Sequence, residues 1–247
     1  MSVLVLQHIA CEPPGAFEDV MVERGLELHR VELDEGEPLP TSLDGIDAVV
    51  AMGGPMSVND EEQHPWLAAE KRLIHDAVES GLPFWGSCLG VQLLASSLGA
   101  RVYAGPVPEV GVLPVYPTDA TAEDPVLGPL GWPRPTLQWH GDTFDLPARA
   151  TLLATSPAYR HQAFRVGGVA YGVQFHVEVT EEMADDWGRV PEYERSAQTV
   201  LGDGGLGRLL ADYRAAMPQM LVDARGLFGR WLDLWVAPGS ARPQAEA

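Results

Sequence analysis

Cys88 lies in Gly86-Ser87-Cys88-Leu89-Gly90, after the apolar residues 83–85 and before Val91-Gln92-Leu93-Leu94. Glycines two before and two after a cysteine leave room for a sharp strand-to-helix elbow, whose central residue is strained and exposed at the turn. A thiol at a helix start meets unpaired amide donors and the positive end of the helix dipole, and both favour the reactive thiolate. The chemistry this suggests is attack by sulfur on an acyl carbon. Such a nucleophile needs a base, and the strand-like run 170–178 supplies His176 with Glu178 two residues on. On an extended strand these residues share a face, with α-carbons roughly 6 to 7 Å apart, so the carboxylate can fix the imidazole tautomer and stabilise its cation. Cys88, His176 and Glu178 form a candidate triad. Acyl transfer also needs donors for a developing oxyanion. The mostly apolar run 46–50 continues into Ala51-Met52-Gly53-Gly54-Pro55, where glycine lets backbone amides approach a substrate.

In order and spacing over residues 1–180, Gly53-Gly54-Pro55, Gly86-x-Cys88-x-Gly90-x-Gln92 and His176-x-Glu178 resemble the class I glutamine amidotransferase family. The resemblance implies a doubly wound, flavodoxin-like α/β domain with a mostly parallel sheet flanked by helices. It implies that the cysteine attacks the side-chain amide of glutamine, releasing ammonia and leaving a glutamyl thioester that water hydrolyses. Cys88 is then the nucleophile, His176 the general base and acid, and Glu178 its orienter. The backbone amides of Gly54 and Leu89 form the oxyanion hole. The resemblance places Gly53 and Gln92 at the substrate, Gln92 toward the α-carboxylate, with Gly141 and Asp142 near the amino group. It implies no cofactor and no metal. Ser87 is a departure, since an aliphatic residue is more frequent there in the family, and it bears on the packing behind the elbow.

The elements that must position these residues follow from periodicity, which alternates strands and helices as a parallel sheet with crossovers does. Strands are expected at 3–7, 26–31 and 48–52, and a helix at 16–24 closed by Gly25. Pro65 opens a second helix whose Leu67, Leu73, Ile74, Ala77 and Val78 fall on one face. The elbow strand follows it. Residues 101–117 and 151–178 read as shorter β-rich segments, expected to add antiparallel strands, with His140 between them. Residues 1–180 are read as the catalytic domain and 181–236 as a helical extension. In the extension Leu206, Leu209, Leu210, Tyr213, Met217, Leu221, Ala224, Phe228 and Trp231 recur at helical spacing, with an interruption expected near Pro218. This stripe must be buried somewhere; packing on the domain is expected before a homodimer or partner interface. Residues 237–247 read as a disordered tail.

The chain has 247 residues, of which 46% are hydrophobic, enough for one sizeable core. It has two cysteines. With one claimed by the elbow, a disulfide framework is not expected, and a cytoplasmic, reducing compartment fits. The N-terminus lacks the basic region of a signal peptide and reads as the first strand. Residues 80–100 are uncharged and long enough to span a membrane, yet Pro83, Gly86, Gly90 and Gly99 divide them into strand, elbow and helix. A net charge of −19 disfavours nucleic acid or an anionic membrane surface as partner. There is no Walker-type phosphate loop, so no fused synthetase is expected. The expected substrate is glutamine or a γ-glutamyl compound, with any released ammonia either lost or passed to a separate synthetase. Two other classes compete: a metal-dependent hydrolase built on His140, Asp142, His176 and Glu178, and a non-catalytic regulatory subunit of the same fold. His8, Glu12, Met56, Glu109, Trp139 and Asp142 are further candidates to line the pocket.

Overall fold

The first strand, β1 (Ser2–Gln7), is apolar from Val3 to Leu6, and its period of two splits these residues between two cores: Val3 and Val5 join one, Leu4 and Leu6 the other. In β3 (Ala48–Ala51) and β4 (Phe84–Ser87), Val50 and Trp85 face the first core, and Val49, Ala51 and Phe84 the second. Burial on both faces is the mark of a parallel sheet covered by helices on both sides. The computed structural model describes residues 1–236; the expected tail at 237–247 lies outside them.

The other strands are β2 (Glu27–Glu32), β5 (Val102–Pro117), β6 (Arg134–Phe144), β7 (Ala150–Thr155), β8 (Ala163–Val166) and β9 (Ala170–Val173). Among the described residues they form one sheet in the order β2-β1-β3-β4-β9-β8-β7-β5-β6. Strands β2, β1, β3, β4 and β9 pair in parallel and give the doubly wound centre. From β9 onward the pairings are antiparallel. This antiparallel wing is larger than the sequence suggested. His140 lies within β6 rather than between β-rich segments, because prolines and polar residues along 133–140 mask the alternation of that strand.

Helices α2 (Trp66–Glu79) and α3 (Leu89–Ser97) cover one face of the centre. The other face is covered by α1 (Ala16–Glu23) and the long α6 (Gly205–Asp233), reached through α4 (Glu181–Trp187) and α5 (Pro191–Leu201). Phe228 and Trp231 of α6 meet Phe17 of α1 and Trp85 of β4, with Phe17–Phe228 and Trp85–Trp231 ring centroids 4.6 and 5.7 Å apart. Contrary to expectation, α6 passes through Pro218 unbroken. Proline removes the donor to the carbonyl four residues back. Both Pro218 and Arg214 are exposed, so water can serve that carbonyl while the buried face continues from Tyr213 to Trp231. No described helix is long and apolar enough to cross a membrane. The uncharged stretch 80–100 is taken up by β4 and α3.

Candidate active site

The turn from β4 into α3 brings two backbones into contact. A Cβ on Gly86 would lie 2.6 Å from the carbonyl of Gly90, and one on Gly90 would lie 2.1 Å from the carbonyl oxygen of Ala51, so neither position admits a side chain without movement. Between them Cys88 has φ 52° and ψ −103°. It is the one non-glycine residue with positive φ among the described residues, a strained conformation that the surroundings must hold. They do so from both sides: the Cys88 amide donates to Val173 O at 2.8 Å, and its carbonyl accepts from the amides of Val91 and Gln92 at 3.2 and 3.3 Å. Behind the elbow, Ser87 Oγ accepts from the indole Nε1 of Trp85 at 3.1 Å. That bond accounts for a polar residue in a buried strand.

β9 ends at Val173, so the strand expected over 170–178 stops short of His176. His176 is held instead by a two-bond bridge to Leu137 of β6: Leu137 N to His176 O at 3.0 Å and the reverse at 2.9 Å. The imidazole Nδ1 donates to Glu178 Oε1 at 2.7 Å, and Glu178 Oε2 accepts from the amide of Val177 at 2.9 Å. Burial opposes charge on the ring, but the Glu178 carboxylate and the Cys88 sulfur outweigh it and hold His176 well above its ordinary value. With Nδ1 occupied by Glu178, the nitrogen left for Cys88 is Nε2. Trp187 of α4 meets the ring edge-on, centroids 5.0 Å apart.

A second buried histidine stands behind the Gly53-Gly54 turn. His8, just after β1, directs Nε2 to Glu70 Oε1 at 2.8 Å and Nδ1 to the carbonyl of Gly53 at 3.1 Å. Both side chains are fully buried. The Gly53 carbonyl can only accept, so Nδ1 donates to it, and with Glu70 ionised Nε2 donates as well and the ring is a cation. Although burial opposes this charge, Glu70 and the Gly53 carbonyl raise His8 above 6.5. A trans peptide points its carbonyl and N–H in opposite directions. Anchoring the Gly53 carbonyl on His8 therefore turns the Gly54 amide away from His8.

A cavity of about 360 Å³ opens over Cys88 and His176, and Gly54, Leu89, Gln92, Gly141 and Asp142 line it. Gly53 is not in its lining. The space a Cβ of Gly53 would need is taken by Glu12, whose Oε2 would be 1.9 Å away. Gln92 also donates to Gln174 Oε1 at 3.1 Å, and Gln174 Nε2 reaches to 3.6 Å from Cys88 Sγ, so the two amides form a chain to the sulfur. Asp142 Oδ2 accepts from Ser57 Oγ at 2.9 Å. Of the further pocket candidates, Glu12, Met56, Trp139 and Asp142 line the cavity. His8 and Glu109 stand behind it, Glu109 against His140 Nε2 at 3.2 Å. The ligand set considered for a metal is not assembled. Glu178 is engaged by His176 and His140 by Glu109, and no described group of three or more such side chains could hold an ion. Cys11 is half-buried, its thiol pushed up to about 12 by burial and by Glu12.

Sequence reasoning missed the residues that close the cavity from the C-terminal side: Trp187 of α4 and Glu192, Tyr193 and Ser196 of α5. Trp139 Nε1 donates to Ser196 Oγ at 2.6 Å, and the hydroxyl of Tyr193 donates to Glu12 Oε1. The only signal for these contacts was the aromatic character of Trp187 and Tyr193 in an otherwise charged segment.

Residues 16–186 match the family model of glutamine amidotransferase class-I. A glutamine amidotransferase-like protein of Salmonella typhimurium, YfeJ, is 34% identical over 75% of this chain and 79% of its own length. A GMP synthase (glutamine-hydrolyzing) of Aeropyrum pernix is 32% identical over 62% of the chain, which spans only 28% of that larger protein. Among solved structures, a glutamine amidotransferase from Thermotoga maritima superimposes with a TM-score of 0.82 at 33% identity, covering 94% of this chain and 98% of the other. One from Methylobacillus flagellatus gives 0.83 at 26% identity, covering 98% of each. The matched span, its agreement with the fold, and the elbow and histidine pair inside it lead to one conclusion: the chain belongs to the class I glutamine amidotransferase family.

Proposed function

We propose that the protein is a cysteine-dependent amidohydrolase that cleaves the γ-amide of glutamine, or of a γ-glutamyl compound, through a glutamyl thioester. The observation that carries this reading is the strained Cys88 at the start of α3 beside a buried His176 whose Nδ1 is fixed by Glu178. His176 and the helix start both favour the thiolate. Sγ attacks the amide carbon, forming the C–S bond as the carbonyl electrons move onto oxygen. That oxyanion is received by the amides of Gly54, turned by the His8–Glu70 anchor, and of Leu89, in the first turn of α3 where amides lack helical partners. His176 Nε2 gives its proton to the nitrogen, the C–N bond breaks toward nitrogen, and the thioester remains. Water then attacks the thioester, losing a proton to the same Nε2, and glutamate leaves as the C–S bond breaks.

Whether the amine is released freely or passed on is a second question, raised by the match to GMP synthases over about a quarter of their length. Both outcomes are read in one experiment. Glutamate release from L-glutamine and a small γ-glutamyl peptide panel is followed by mass spectrometry for the native protein and Cys88→Ala. Release by the native protein alone supports the free-standing hydrolase. Release that begins only when a synthetase is added assigns the chain to a partnered amidotransferase. Release that persists in Cys88→Ala would overturn the thioester mechanism.

A further inference from the structure

Glu12 is a charged residue in a place where charge is costly. It lies in the loop between β1 and α1, is 3% exposed, and borders the cavity over Cys88. One carboxylate oxygen is satisfied, since Oε1 accepts from the Tyr193 hydroxyl. The other, Oε2, is buried without a partner. An orphaned carboxylate oxygen loses its hydration with nothing in exchange, and buried polar atoms are rarely left so. Burial accordingly pushes the Glu12 carboxyl up, against the pull of His176 and Tyr193. Nor does the cavity supply a cation, because no lysine or arginine is among its described lining residues.

The position of Oε2 indicates what it awaits. A Cβ placed on Gly53 would lie 1.9 Å from Glu12 Oε2 and 3.1 Å from Cε1 of His176. Carboxylate and imidazole therefore converge on the same glycine. Cε1 adjoins Nε2, the atom that gives its proton to the departing nitrogen in the reading above. By these two distances Oε2 lies within about 5 Å of Cε1, so a free acceptor stands near the atom from which the departing nitrogen would take its proton.

We propose that Glu12, held by Tyr193, is the leaving-nitrogen subsite: its free oxygen accepts an N–H hydrogen bond from the scissile amide as that nitrogen becomes tetrahedral. The subsite selects substrates that leave as ammonia or a primary amine over those that leave through oxygen. The inference rests on the thioester reading for Cys88 and His176. Glu12 and Tyr193 both lie outside residues 16–186, the span matched to the family model.

The test compares two substrates that give the same glutamyl thioester, L-glutamine and the γ-methyl ester of glutamate. kcat and KM for each are measured with native protein, Glu12→Gln and Tyr193→Phe. In Glu12→Gln the Tyr193 hydroxyl still selects the amide oxygen, which places an NH₂ donor where Oε2 was, facing the substrate donor. Losing a charge-assisted hydrogen bond predicts that the amide-to-ester ratio of kcat/KM falls about ten- to a hundredfold in Glu12→Gln, through kcat. Tyr193→Phe, which frees the carboxylate to turn, lowers the same ratio by a smaller factor and decides the matter if Glu12→Gln does not fold. An unchanged ratio, with both substrates falling together or neither falling, overturns the subsite. Hydrolysis of neither substrate by the native protein is a different failure: it removes the thioester reading, and the subsite with it.

Discussion

Two buried histidine–glutamate pairs flank the Gly53-Gly54 turn, and the difference that separates their chemistry is what the second nitrogen touches. His176 and Glu178 are 2.7 Å apart, His8 and Glu70 2.8 Å, and all four side chains are almost wholly buried. In both, a carboxylate overcomes burial and raises the imidazole above its ordinary value. His176 keeps Nε2 for Cys88, at the edge of the cavity, where a proton can come and go. His8 has committed its second nitrogen to the Gly53 carbonyl at 3.1 Å, so it can hold a peptide but has no lone pair with which to take a proton. A His–Glu pair is thus no signature of catalysis in itself. On the proposed mechanism, the free nitrogen lets one pair act as a base and its absence leaves the other an anchor.

The contrast is sharpest in glutamine turnover. Glu178→Gln leaves His176 without the charge that sets its tautomer and stabilises its cation, and kcat for glutamate release is expected to fall about a thousandfold with little change in KM. Glu70→Gln acts one step further away, by loosening the peptide that carries the Gly54 amide, and is expected to lower kcat only about tenfold. Equal losses in the two variants would erase the distinction between base and anchor.

Stability should discriminate the pairs by a different measure. Removing one partner of a buried ion pair strands the other, so Glu70→Gln is expected to cost about 3 kcal/mol, read as a lower urea midpoint with an unchanged slope. A loss below about 0.5 kcal/mol, the range of ordinary surface substitutions, would mean that His8 is neutral and the pair is no anchor.

The two pairs also differ in how visible they were. Cys88 and the His176–Glu178 pair are local patterns: glycines two residues on either side of a thiol, and a carboxylate two residues after an imidazole. Short-range geometry is what sequence spacing encodes. Even so, the pair sits past the end of β9, held by a bridge to Leu137 that no local pattern announces. His8 and Glu70 are 62 residues apart, and Glu12 and Tyr193 are 181 apart, so only the tertiary fold brings them together. One signal for the anchor was present. Glu70 lies on the apolar stripe of α2, three residues after Leu67 and three before Leu73, where a carboxylate needs a buried partner. The parallel centre was legible because strands such as β1 and β3 are apolar on both faces. Strand β6 was not, since Gln138 and His140 occupy buried positions that serve a polar network with Gln162 and Glu109 rather than an apolar core.

The smallest effect tests the charge on the anchor directly. The folded value of His8 is raised above 6.5, whereas the unfolded chain returns it to about that value, so the folded state binds the proton more tightly. Stability from such a group is fully present below the unfolded value and is lost as pH rises through the folded one. Glu70→Gln removes the main cause of the raised value. The stability gap between native protein and Glu70→Gln should therefore be widest near about pH 6 and narrow as pH climbs, with a slope of at most about 1.4 kcal/mol per pH unit for one proton. Urea unfolding of both proteins at a series of pH values reads this gap without reference to activity, so it does not depend on the substrate. A gap constant across the series would show that no proton is bound between His8 and Glu70 on folding, and the anchor would then be a neutral hydrogen bond. A narrowing gap makes the Gly53 carbonyl the acceptor of a cationic donor, which is the stronger and more directional of the two bonds, and the one better suited to hold the Gly54 amide still for the oxyanion role proposed for it.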